Sequence, residues 1–337
     1  MLMQDSVTSF LMQILSIDST TGNELALIEY LINNHRLPGA RIKLQTVSKT
    51  QKNIFFIWGE PKIIFCTHLD TVAPYIQPKI KGDVIYGRGA CDAKGQIALI
   101  YETCLALHRE NQTDFGILLT AGEETTSLGA KIANRALKKT KFIVVCEPTN
   151  RKLVSAAKGI LAAAITVSGK SAHSGYPHRG QSAINRFIEF IDYLNKIPFP
   201  KDDLLGNTTY NLGLLTSDNV PNVLSDKLTT QILFRTTFVS HQIIQNKLQK
   251  LAFEYGISLR LTKSSPPINF FTPRGFSTDT VSFGSDAPSF YNVDYRLMYG
   301  PGNILHAHTL EEQLKLSSLA CAIKDLKKLY YTLFKLI

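Results

Sequence analysis

The sequence predicts an α/β domain built on a mainly parallel sheet and flanked by helices, interrupted by a smaller α+β lid. Three observations predict it. In the first half of the 337 residues, apolar runs such as "KIIFCTHL", "FGILLTAGEE" and "KFIVVCEPT" alternate with stretches of helical period. That alternation is what strands buried on both faces between helices require. After "SAAKG" the rhythm changes to strand, helix, strand, strand, helix, strand, the order of a split βαβ, ferredoxin-like domain. Finally, each apolar run of the first half stops at a histidine or an acid.

Taken in order, "SFLMQILSI" begins a helix and "TGNELALIEYLINNH" restarts one, with Thr21 and Glu24 spaced as a capping box. The strand "KIIFCTHL" follows, then a glycine-bearing loop, "KGDVIYGRGACDAKG", and a helix over "QIALIYETCLALHRE". Strand "FGILLTAGEE", helix "SLGAKIANRAL" and strand "KFIVVCEPT" complete the first run. The lid is expected over 155–265, from the strands "ILAAAITVSG", "TYNLGLLT", "LTTQILFRTTF" and "ISLRLTK" and the helices "SAINRFIEFIDYLNKI" and "SHQIIQNKLQKLAFEYG". "SSPPINFFTPRG" marks the return to the larger domain, which comprises 1–154 and 266–337 and ends in an amphipathic helix at "KDLKKLYYTLFK".

Composition excludes several classes. Hydrophobic residues at 44% and charged residues at 19% describe a globular chain. No run approaches the roughly 18 apolar residues of a membrane span. Asp5 stands where a signal peptide would be positive, so the start reads as mature and cytoplasmic. The five cysteines, Cys66, Cys91, Cys104, Cys146 and Cys321, are scattered and read as reduced packing residues. The net charge of +10 is spread along the chain rather than gathered on a nucleic-acid motif, which leaves attraction of small carboxylate substrates as its use.

The polar stops carry the chemistry. His68 and Asp70 end the first of these strands, Asp92 lies in the glycine loop, Glu123 and Glu124 follow "ILLTAG", Glu147 follows "KFIVVC", and His308 sits in "ILHAHT". In an open α/β sheet the carboxyl ends of the strands converge on one crevice. One histidine or acid there is a cap, but several acids together repel one another unless a cation compensates them. Imidazole with carboxylate is a ligand set for zinc, with cobalt or manganese as substitutes. Two such ions could share Asp92 and activate water between them. His68 would bind metal through one ring nitrogen and donate from the other to Asp70. One of the tandem glutamates would bind metal and the other act as general base, and spacing leaves open which does which.

Together, "THLDTV", "GRGACDAKG", "TAGEET", "CEPT", "SGKSAHSGYPHRGQSAI" and "YGPGNILHAHTLEE" resemble, in order along nearly the whole chain, the dinuclear zinc amidohydrolase family of acetylornithine deacetylase, succinyl-diaminopimelate desuccinylase, aminoacylase and carboxypeptidase G. The resemblance implies that His68, Asp92, Glu124, Glu147 and His308 hold two zinc ions, with Asp92 bridging, Asp70 behind His68, and Glu123 as the base. It also implies that His173 in "SAHSG" stabilises the oxyanion, usually from a partner subunit's lid in a homodimer. Asn222 in "NVPNVLSD" and Arg235 in "ILFRTT" resemble positions that hold the substrate carboxylate or the oxyanion. Glu147 matches deacylases and glutamate carboxypeptidases, where aminopeptidase and dipeptidase branches tend to carry aspartate. "FGSDAPSFYN" and "LMYGPGNILHAHTLEE" resemble acetylornithine and acetylcitrulline deacetylases, although Ser285 and Asp286 stand where those enzymes often have threonine and glutamate. The expectation is therefore hydrolysis of an N-acyl amino acid, N-acetylornithine or N-acetylcitrulline, in arginine synthesis. A desuccinylase, carboxypeptidase or dipeptidase is the alternative, and a non-catalytic binding protein with the same fold the distant one.

Overall fold

The computed structural model describes residues 2–337 and divides into two compact units. The first runs through Ser155 and takes up Phe270–Asp279 and Ser285–Ile337. The second comprises Ala156–Asn269 and Thr280–Gly284, so it holds residues 266–269 and 280–284 besides the central stretch.

The first unit is built on a six-stranded sheet. Its strands, from one edge to the other, are Arg41–Thr46, Lys52–Trp58, Phe115–Thr120, Ile63–His68, Phe142–Val145 and Tyr295–Met298. The last four are mutually parallel, while Lys52–Trp58 runs antiparallel to both of its neighbours. The mainly parallel sheet is as expected. The two strands at the near edge are not among the expected elements: Lys52–Trp58 is apolar and mostly buried, a signal present in the sequence and missed, whereas "RIKLQT" is an edge strand of polar and apolar residues with most of its length exposed. Without a buried face it gives only a weak strand signal.

Side chains alternate across the central strands. Ile63 and Phe65, Phe115 and Ile117, and Phe56 point into one apolar core, shared with helices Leu2–Leu15, Lys94–Arg109 and Leu316–Phe334. The last helix feeds this core: Tyr330 is fully buried and packs edge-on against Phe115, and Leu333 is buried, while Phe334, Leu336 and Ile337 are exposed. The opposite face carries the short helix Leu128–Ala133, which passes into a 3-10 turn at Asn134–Ala136 and ends earlier than "SLGAKIANRAL" suggests. All five cysteines are free, four of them buried.

The second unit has the expected order of elements. Its strands Thr209–Thr216, Lys227–Thr236, Gly159–Ser168 and Ser258–Ser265 form an antiparallel sheet in that spatial order. Gly159–Ser168 alternates buried and half-buried residues, the pattern of a strand with one covered face. Leu161, Ala163, Ile165 and Val167 meet Phe187, Phe190 and Leu194 of helix Ala183–Lys196 and Ile244, Leu248 and Leu251 of helix His241–Glu254. Ser182 caps the first of these helices, its hydroxyl accepting from the Asn185 N–H.

A close approach fixes how helix Lys94–Arg109 starts. A Cβ on Gly95 would stand 2.2 Å from the Ala90 carbonyl oxygen and 2.7 Å from Leu314 Cδ2. Gly95→Ala is therefore expected to cost about 1–3 kcal/mol through forced backbone displacement. Thermal unfolding of the variant reads this as a lowered Tm, and an unchanged Tm would show that the approach tolerates a methyl group.

Candidate active site

Three neighbouring parallel strands bring the polar residues of the first unit together. His68 ends strand Ile63–His68, Glu123 and Glu124 follow Phe115–Thr120, and Glu147 follows Phe142–Val145. Their carboxyl ends open on one edge of the sheet, where ligand sites of such sheets form. Asp92 arrives from the loop before helix Lys94–Arg109, and His308 from the loop after the 3-10 turn Ile304–His306. His308 holds the left-handed conformation, φ 63°, which is uncommon in residues other than glycine.

Asp92 is the centre of the cluster. Its Oδ1 lies 2.9 Å from His68 Nε2 and its Oδ2 lies 3.5 Å from His308 Nε2. His308 Nε2 is also 3.1 Å from Glu124 Oε1. Donor atoms of His68, Asp92 and Glu124 all fall within 4.8 Å of one another. Glu147 is buried, and its carboxyl feels the charges of Asp92 and His68.

Asp70 is placed differently from expectation. Its carboxylate accepts from the backbone N–H groups of Glu123 at 3.0 Å and Glu124 at 3.1 Å, and from the Thr21 hydroxyl at 2.9 Å. With those oxygens engaged, His68 Nδ1 turns to the backbone carbonyl of Asp70 at 2.8 Å, and the carboxylate stands back at 3.6 Å. The consequence for the ring is unchanged. A carbonyl only accepts, so Nδ1 donates to it, which leaves Nε2 as the nitrogen that faces Asp92. The same contacts undo the expected capping box: the Thr21 hydroxyl is taken by Asp70, and the Glu24 carboxylate accepts from Gln51 at 2.7 Å and the Gly22 N–H at 2.9 Å.

Charge in the crevice is unevenly held. Desolvation, aided by the neighbouring acids, pushes the Glu123 and Glu147 carboxyls well above their usual range, and burial raises the Asp286 carboxyl as well. Burial also opposes ionisation of Asp92, but hydrogen bonds from His308 and His68 outweigh it and hold that carboxyl low. The same hydrogen bonds, to Asp92 and Glu124, raise His308 to about 10. A set of imidazole and carboxylate donors that draws positive charge so strongly fits a divalent cation, because the cation replaces the compensating protons.

Of the residues singled out in the sequence, His68, Asp70, Asp92, Glu123, Glu124, Glu147 and His308 all belong to the first unit. His173, Asn222 and Arg235 belong to the second. There His173 pairs in a β-bridge with Val223 and the Ser174 N–H donates to the Asn222 carbonyl at 2.8 Å, so His173 and Asn222 share one exposed turn region. Arg235 lies on strand Lys227–Thr236, opposite Ile160 and Thr209.

Three further residues belong to the site without standing out in the sequence. Asp286 is buried and accepts from the Thr120 hydroxyl at 2.7 Å. Glu312 and Arg88 form a fully buried ion pair at 2.6 Å under the Asp92 loop. The sequence signal for the pair is slight: an arginine within a glycine loop, and the second acid of "LEE" four residues after His308.

An α/β unit that gathers two imidazoles and several carboxylates beside its strand ends, interrupted in the chain by an α+β unit, has the donor set of a metal-dependent hydrolase. Residues 155–255 match the family model described as a peptidase dimerisation domain. The chain is 32% identical to a probable carboxypeptidase of Ajellomyces capsulatus over 94% of its own length and 84% of that protein. It is 28% identical to a peptidase M20 domain-containing protein of Schizosaccharomyces pombe, over 96% and 84%. Its fold matches the crystal structure of a tripeptidase from Staphylococcus aureus with a TM-score of 0.81, at 21% identity, over 96% of this chain and 97% of that one. The chain belongs to the M20 peptidase family.

The Asp70 carboxylate carries the backbone of the glutamate pair. Asp70→Ala leaves two part-buried N–H groups and one hydroxyl without their acceptor, at an expected cost of about 2–3 kcal/mol. Denaturant unfolding of metal-stripped protein measures it, and a loss below about 0.5 kcal/mol would mean that water replaces the carboxylate freely.

Proposed function

We propose that this chain is a metal-dependent exopeptidase that hydrolyses the amide bond beside a free carboxylate, releasing the C-terminal amino acid of a short peptide. The observation that carries this reading is the Asp92 carboxylate set between His68 and His308, with Glu124 on one side. The names of the fungal relatives, probable carboxypeptidases, support the substrate class.

His68, Asp92, Glu124, Glu147 and His308 would hold two divalent ions, Asp92 from its place between the two imidazoles. Zinc suits these donors best, with cobalt or manganese as substitutes. When bound, the ions supply Lewis acidity for the scissile carbonyl and lower the pKa of water. Glu123 takes the proton from the attacking water and returns it to the leaving amine. Asp70 keeps Glu123 and Glu124 in place through their N–H groups. His173 is assigned to the oxyanion, and Asn222 and Arg235 to the substrate carboxylate or the oxyanion. The first unit is then the catalytic domain and the second a lid that pairs with a second copy, whose His173 completes the site. A cationic protein attracts such carboxylate substrates over distance.

A second reading keeps the same bond chemistry with a different substrate, N-acetylornithine or N-acetylcitrulline. The segments "FGSDAPSFYN" and "LMYGPGNILHAHTLEE" favour it. Amine release by metal-stripped protein, with and without added zinc, separates the readings on a panel of two peptides with free carboxyl termini, N-acetylornithine, N-acetylcitrulline and N-succinyl-diaminopimelate. Zinc-dependent release from the peptides alone supports the carboxypeptidase. Release from the acetyl substrates alone moves the protein to deacetylation, and release from the succinyl substrate alone makes it a desuccinylase.

Glu123→Gln keeps the shape of the side chain and removes the base. It is expected to lower kcat about 10²–10⁴-fold while zinc content by atomic absorption stays at the wild-type level. Full turnover with zinc retained would remove Glu123 from this role.

A further inference from the structure

Glu312 and Arg88 lie outside the candidate ligand set, yet their hydrogen bonds reach the segments that carry it. Glu312 Oε1 accepts from three backbone N–H groups of one loop: Gly89 at 3.1 Å, Cys91 at 3.0 Å and Asp92 at 3.0 Å. Its Oε2 takes Arg88 Nη1 at 2.6 Å. Arg88 Nε donates to the Pro74 carbonyl at 3.2 Å, on the loop after Asp70, and Nη1 to the Thr309 carbonyl at 3.2 Å, next to His308. Glu312 also accepts through its own carbonyl from the Gly87 N–H at 3.1 Å. Both side chains are about 1% exposed or less.

We infer that Glu312 is a positioning residue for the metal site, holding the Asp92 loop in register with the His308 segment. The inference rests on the metal-dependent reading above. Asp92 must present one oxygen to His68 and the other to His308, so a shift of its main chain by a fraction of an ångström weakens one of the two contacts. Within its loop the Ala90 N–H donates to the Gly87 carbonyl at 3.0 Å, while the N–H of Asp92 itself is taken by Glu312. Gly87 and Gly89 have φ of 145° and 89°, so the loop departs from regular structure, and the N–H groups of residues 89, 91 and 92 converge on a single side-chain oxygen. Three N–H donors on one carboxylate oxygen make a rigid mount, and carboxylates that receive such bonds are held firmly. Arg88 has a separate part: it neutralises Glu312, so the mount adds no net negative charge to a crevice already crowded with acids. Through Thr309 and Pro74 it links the mount to the segments bearing His308 and Asp70.

The test compares wild type, Glu312→Ala, Glu312→Gln and the double variant Arg88→Met/Glu312→Gln. Zinc affinity of metal-stripped protein is measured by chelator competition, with Tm of the metal-free protein, kcat and KM alongside. Glu312→Ala is expected to weaken zinc by about tenfold or more and to lower kcat with little change in KM. Glu312→Gln keeps an oxygen for the three N–H groups but leaves Arg88 buried and unpaired, so it weakens zinc too. The double variant removes that cation without its counter-ion but also the bonds to Thr309 and Pro74, so it restores affinity in part. A Glu312→Ala protein with lowered Tm but wild-type zinc affinity and kcat overturns the inference, since the pair would then serve stability alone. If Glu312→Ala does not fold, the Gln variants decide: equal zinc affinity of wild type and Glu312→Gln overturns the inference, and loss with rescue in the double variant supports it. A wild-type chain that takes up no zinc overturns the metal-dependent reading and this inference with it, whereas a zinc-binding wild type beside unaffected variants overturns the inference alone.

Discussion

Buried negative charge is the constraint on which the rest of the first unit depends. Asp70, Asp92, Glu147, Asp286 and Glu312 are all nearly inaccessible to solvent, and Glu123 and Glu124 border them. Bringing so many carboxyls out of water is unfavourable unless each has partners. The structure meets the demand by dividing the acids. Asp70 is satisfied by two main-chain N–H groups and a hydroxyl, Glu312 by three N–H groups and Arg88, and Asp286 in part by the Thr120 hydroxyl. Asp92 and Glu124 are left facing imidazoles.

That division separates scaffold from chemistry. The acids that receive backbone N–H groups orient loops, since a carboxylate with its lone pairs engaged has little capacity left for a ligand. Those that face His68 and His308 keep oxygens directed into the crevice. Asp70 and Glu312 are equivalent in this sense: one mounts the Glu123–Glu124 turn and the other mounts the Asp92 loop, each from a different part of the chain. His68 is set by the same economy, its Nδ1 proton given to a carbonyl because the nearby carboxylate is already engaged.

The parallel sheet supplies the rigidity for this arrangement. Neighbouring strands in register bring His68, Glu123 and Glu147 to one edge, so the segments left for side chains to position are the Glu123–Glu124 turn and the loops of Asp92 and His308. Helices Leu2–Leu15, Lys94–Arg109 and Leu316–Phe334 anchor the sheet behind it through a continuous apolar core. The second unit has an apolar core of its own.

Much of this is legible in the amino-acid sequence. Period and apolar run length determine the helices and the central strands, because a strand buried on both faces and a helix with one apolar stripe leave unambiguous patterns. The strand, helix, strand, strand, helix, strand order of the inserted unit is equally plain. The polar stops at strand ends point to the acids and imidazoles of the crevice, because nothing in a buried strand explains them. The edge strand at 41–46 escapes, since an exposed strand has no face to mark it, whereas the buried run at 52–58 carries an apolar signal that is missing from the expected elements. Tertiary structure alone decides which carboxylates support and which face the imidazoles. Asp70 and Asp92 look alike in sequence, and so do Glu311 and Glu312. What distinguishes them is the set of N–H groups that folding brings within 3.1 Å from segments up to 223 residues away, a distance relation that no local pattern can encode.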